Sequence, residues 1–161
     1  MRGSLLSFLI PLAACGGGGN GNQDAGVDAP PSASCLEAEG YQDLTNIESK
    51  IFKAACVFSG CHNGGATDAG RMDLREGMAH TSIVGVDSEV ELGRQIVVAG
   101  NPAASYLLVM LGEIDPADAD PPTNPPPGAI GLMPQNAGGM LLCSQKRDAI
   151  VRWIEAGALD N

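Results

Sequence analysis

Cys56-Val57-Phe58-Ser59-Gly60-Cys61-His62 puts two thiols and an adjoining imidazole into one short stretch of chain. Two thiols that can bond the vinyl groups of a porphyrin, followed directly by an imidazole that can reach its iron, are what covalent haem attachment needs. The common spacing is Cys-x-x-Cys-His, whereas four residues separate the thiols here.

Upstream, Thr45-Asn46-Ile47-Glu48 reads as a capping box, in which the Thr45 hydroxyl and the Glu48 carboxylate satisfy backbone donors at a helix start. Ile47, Ile51 and Ala54 or Ala55 then share one face, and this helix runs directly into Cys56. Asn101-Pro102 offers a second start, with a capping side chain followed by proline at the first helical position. The segment that follows, Ser105 to Leu111, is apolar nearly all round and should be buried. Ser144 can cap a third helix, with Ile150, Trp153 and Ile154 on one face and Gly157 as a left-handed stop. Shorter helical stretches are predicted around Glu76 to Val84 and Glu89 to Val98, and Gln95 to Ala99 suits a strand equally well. No internal repeat and no persuasive sheet pattern is present, so the expected class is all-α.

Between the second and third strong helices, Asp115 to Gly131 contains Pro116, Pro121, Pro122, Pro125, Pro126 and Pro127, which exclude regular structure. Leu132-Met133-Pro134 follows that loop. A proline after Met133 restricts it to extended backbone.

At the other end, Met1-Arg2 precedes an apolar run from Leu5 to Leu12, which has the layout of an export signal and is too short to span a bilayer. Its end, Leu12-Ala13-Ala14-Cys15, resembles the lipobox of bacterial lipoproteins. That resemblance implies cleavage before Cys15, lipidation of its sulfur, and stable anchoring through several acyl chains. Gly16 in place of Asp after the lipidated residue implies the outer membrane of a Gram-negative cell, facing the periplasm or the outside. Residues 1–15 are therefore expected to be a signal peptide. Residues 16–34, rich in Gly, Asn, Asp, Ala, Pro and Ser, are expected to form a flexible linker. Residues 35–161 remain as one domain by length.

The whole chain carries a formal charge of -10. Such a surface repels nucleic acid and anionic lipid headgroups and suits a cationic partner or none. Aromatic residues make up only 4% of the chain, so an unaided core would be thin, and crosslinks, a metal or a large apolar cofactor would have to supplement it.

Taken together, Ile51-Phe52 through Cys56 and Cys61-His62-Asn63-Gly64-Gly65, then Met72-Asp73-Leu74, Gly100 to Leu107, Leu132-Met133-Pro134 and Ile150 to Ala158 resemble the small cytochrome c-like domains of bacterial envelope lipoproteins. The resemblance covers nearly all of residues 35–161. It implies an all-α, cytochrome c-like helical domain with long Pro/Gly-rich loops, whose closing helix packs over the first. It also implies haem c bound through Cys56 and Cys61, with His62 as proximal and Met133 as distal iron ligand. With haem on Cys56 and Cys61 and lipid on Cys15, the remaining pair, Cys35 and Cys143, would form a disulfide. The alternative is a cofactor-free binding or scaffolding lipoprotein in which Cys56 and Cys61 are also joined to each other.

Other residues carry weaker readings. His80 could serve as a second axial ligand or join His62 and thiolates at zinc, but its spacing matches no common zinc pattern, so a surface histidine is expected. Met72, Met78, Met110 and Met140 read as packing residues, since only Met133 follows the proline-rich loop. Trp153 suits either contact with a porphyrin or ordinary core packing. The acids of Asp115 to Asp120 lack EF-hand spacing and read as a solvated loop. The run Gly16 to Gly19 reads as linker, and no Ser-His-Asp, paired-carboxylate or phosphate-binding arrangement stands out. The sequence therefore points to a tethered monohaem electron carrier with a redox partner protein, and away from an enzyme.

Overall fold

The computed structural model describes residues 30–65, 69–135 and 141–161. The expected signal peptide, the lipidation site Cys15, most of the linker and Met140 lie outside them. Among the described residues the fold is all-α: helices joined by long loops, with no strand. The segment expected as either helix or strand is neither. It makes two isolated bridges, Val84 with Val97 in parallel and Asp87 with Gln95 in antiparallel sense.

Helix α1 (Ala33–Glu37) carries Cys35, which is bonded to Cys143 with the two Cα atoms 6.2 Å apart. Because Cys143 immediately precedes helix α6 (Ser144–Glu155), the bridge fixes the start of the domain to its closing helix. Arg152 of α6 reinforces this contact. Its Nη2 donates to the carbonyls of Ala38 at 2.9 Å, Glu39 at 3.2 Å and Tyr41 at 3.2 Å, gripping the 3-10 turn Ala38–Gly40 that follows α1.

The next helical run consists of α2 (Leu44–Asn46), a π-helical stretch (Ile47–Phe52) and α3 (Lys53–Ala55). Its start differs from the expected capping box. Asp43 is the cap, accepting the Asn46 N–H at 2.8 Å. Thr45 lies inside α2 and donates its hydroxyl to the Asn161 carbonyl at 2.9 Å. Glu48 instead serves a distant helix: its carboxylate accepts the N–H groups of Gly77 at 2.7 Å and Ala79 at 3.0 Å, at the start of α4 (Ala79–Ile83). Asp43 sits nearer the true start, and free donors elsewhere compete successfully for Glu48.

Asn101 caps the 3-10 turn Pro102–Ala104, accepting the Ala104 N–H at 3.2 Å with proline at the first position. Helix α5 (Tyr106–Met110) follows, and every residue in it is buried. In α6 the capping position is Cys143, so Ser144 sits one residue inside the helix and makes no capping bond. Ala149, Ile150, Trp153 and Ile154 form its buried face. Burying each large apolar side chain of that face contributes about 2 kcal/mol. They join Ile47, Ile51, Phe52, Leu74, Ile83 and Leu108 in one core, so the closing helix packs on the helical run that leads to Cys56. Gly157, at φ 102°, ends α6. Beyond it, Trp153 Nε1 donates to the Leu159 carbonyl at 2.8 Å.

Candidate functional site

Helix α3 delivers Cys56 into a loop that turns back on itself. The Phe52 carbonyl accepts from Cys56 N at 2.7 Å and from Val57 N at 3.0 Å, which closes the helix. The Phe58 carbonyl then accepts from Cys61 N at 2.9 Å across a turn containing Gly60 at φ 81°. The Cys56 carbonyl accepts from His62 N at 3.2 Å. The longer gap between the thiols is thus folded into a closed loop that keeps Cys56, Cys61 and His62 in one neighbourhood. Neither Cys56 nor Cys61 is in a disulfide. Burial pushes the Cys56 thiol up to about 12, and the neighbouring Cys61 thiol adds to the effect.

His62 is half-buried, and its Nδ1 lies 2.8 Å from the Ala69 carbonyl oxygen. A carbonyl can only accept, so Nδ1 carries the proton in this contact. Burial holds the imidazole below its ordinary value, opposed by hydrogen bonding to the backbone at Ala69 and Met72. The Leu74 N–H returns to the His62 carbonyl at 3.0 Å and fixes the backbone on which the ring sits.

Met133 is held by the end of α5. Its N–H donates to the Met110 carbonyl at 2.8 Å, at the end of α5, and the bond to Pro134 is cis. Met133, Cys56 and Met72 are all partly buried against the same core. Beside Met133, Leu132 and Leu141 are 43% and 37% exposed, and beside the thiols Phe58 is 53% exposed. Gly112 permits this arrangement of leucines: a Cβ there would lie 3.0 Å from Leu141 Cδ1 and 3.4 Å from Leu132 Cδ1.

The remaining sequence-predicted residues go elsewhere. His80, expected at the surface, is half-buried, with Nε2 3.0 Å from the Ala158 carbonyl. It steadies the turn after α6, whose irregular backbone the sequence pattern did not reveal. Among the described residues no group of three or more His, Cys, Asp or Glu could hold a metal ion, so His80 does not join His62 and the thiols at a zinc-type site. Met110 is buried in the core, while Met78, expected to pack, is 45% exposed. Trp153 is fully buried in the core. In the acidic loop, Asp115 accepts the Ala117 N–H at 2.9 Å within its own turn. The contact of Ala69 with His62 had no side-chain signal, because a backbone carbonyl makes it.

No protein-family model, curated protein or solved structure shows significant similarity to this chain. Its own chemistry must carry any assignment. No helix among the described residues is long and apolar enough to cross a membrane.

Proposed function

We propose that this protein is a lipid-tethered, monohaem c-type electron carrier of the bacterial envelope, with Cys56 and Cys61 as the points of covalent attachment and His62 and Met133 as the iron ligands. The observation that carries this reading is the contrast among the cysteines beside an oriented imidazole. Cys35 and Cys143 are joined, whereas Cys56 and Cys61 are left as thiols next to a histidine whose Nδ1 is already committed. A metal-bound histidine commonly donates its other ring N–H to a carbonyl or carboxylate, which sets the tautomer and aims the free nitrogen. Ala69 supplies that carbonyl here.

The donor set suits haem: two thiols for thioether bonds, one imidazole nitrogen and one thioether sulfur for iron. Phe58, Leu132 and Leu141 leave apolar surface uncovered beside both halves of that set, surface that a porphyrin would cover. Bound haem would supply reversible one-electron chemistry, with methionine ligation raising the potential. The chain's own residues hold and orient the group. Partial burial keeps the Cys56 thiol protonated at neutral pH, its less reactive form. A formal charge of -10 suits a cationic redox partner.

The test is the visible spectrum of protein matured with a competent haem-ligation system, together with haem staining after denaturation. A reduced c-type spectrum and a stained band support the reading. A colourless, folded protein with Cys56 bonded to Cys61 favours a cofactor-free scaffolding lipoprotein.

A further inference from the structure

An open hollow of about 320 Å³, lined in part by Arg94, lies away from the thiol loop. Arg94 is only 7% exposed, and no acidic side chain forms an ion pair with it among the described residues. Its Nη1 donates to the Pro121 carbonyl and its Nη2 to the Ala103 carbonyl at 3.3 Å. Its Nε is buried without a hydrogen-bond partner. A buried guanidinium hydrogen-bonded only to neutral carbonyls makes no direct ion pair, which leaves it favourable for an anion to approach. Gln95, Val98 and Ala104 also line it, as do the exposed residues Asp87 and Asp120. These acids repel a simple anion but attract a ligand that brings its own positive charge.

We propose that this hollow binds a small α-amino acid zwitterion, its carboxylate on Arg94 and its ammonium between Asp87 and Asp120. The planar guanidinium fork matches a carboxylate. The volume lies at the small end of ligand sites, about 300 Å³ and upward, which favours a small ligand. Val98 and Ala104 offer apolar contact to a short aliphatic side chain.

Calorimetric titration of the full-length protein with glycine and L-alanine tests this, with acetate, methylammonium and inorganic phosphate as controls. The amino acids should bind saturably and about tenfold or more tighter than any control. The Asp87→Asn/Asp120→Asn double variant, altered only at exposed positions, should bind them about tenfold more weakly, and Arg94→Lys should lose affinity as well. Where Arg94→Lys fails to fold, the double variant alone decides. Absence of amino acid binding, acetate or phosphate binding as tightly, or undiminished binding in the double variant would each overturn the proposal.

Discussion

The Glu48 carboxylate accepts the backbone N–H of Ala79 at 3.0 Å, so a side chain from the first long helical run caps the start of a helix far along the chain. The Gly77 N–H completes the pair at 2.7 Å, and Glu48 is only 6% exposed. Removing the carboxylate strands the buried Ala79 donor and strips the Gly77 N–H of its partner. Glu48→Ala should therefore cost about 3 kcal/mol in urea unfolding, since hydrogen bonds to a charged group contribute about 1.5 to 3 kcal/mol each. Glu48→Gln should cost less, because one acceptor oxygen remains. Equal stability of the Ala variant and the native protein would remove this capping role.

The Cys35–Cys143 bridge spans 108 residues of chain. Closing so long a loop in the unfolded state gives a stabilisation of about 4 to 5 kcal/mol in the chain-entropy account. The Cys35→Ala/Cys143→Ala double variant should show a loss of that order in chemical denaturation, compared with the oxidised native protein. The grip of Arg152 on the turn after α1 should survive only partly, because the bridge and the arginine hold the same pair of segments together.

Cys56 gives a prediction in pH. Burial raises its thiol from 9.0 to about 12. The folded, haem-free protein therefore keeps its proton where the unfolded chain gives it up. This contribution to stability is complete below the ordinary thiol value and is lost as pH climbs through the window between 9.0 and about 12. Alkylation of Cys56 in the folded haem-free protein should stay slow up to pH 10, where only about 1% would be thiolate, and should become fast on unfolding. Mass mapping of the alkylated residue reads this out, and rapid labelling of Cys56 at pH 8 in folded protein would contradict it.

The parts of the fold written in local pattern were legible in the sequence. The apolar face of Ile150, Trp153 and Ile154 defined α6, and the run from Ser105 to Leu111 signalled the buried α5. Asn101-Pro102 marked a real cap, although it opens a 3-10 turn before the helix begins. What depended on distant partners was not legible. Thr45 and Glu48 have capping-box spacing, yet their partners are Asn161 at one end of the chain and Ala79 in another helix. The stretch from Glu89 to Val98 was ambiguous because it pairs only through isolated bridges, which leave no sustained alternation of apolar and polar residues. At the candidate site, Cys56, Cys61 and His62 could be read directly. The Ala69 carbonyl that orients His62 could not, since any residue would provide the same oxygen. Arg94 was equally hidden, because its burial follows from how Ala103 and Pro121 approach it.

The most direct test of the electron-carrier account compares wild-type protein with the Cys56→Ala/Cys61→Ala variant, both matured with a haem-ligation system and then denatured. The account predicts a haem-stained band with the added mass of one haem for the wild type and neither for the variant. A wild-type protein that is folded, colourless and unchanged in mass, with Cys56 and Cys61 joined to each other, would contradict it.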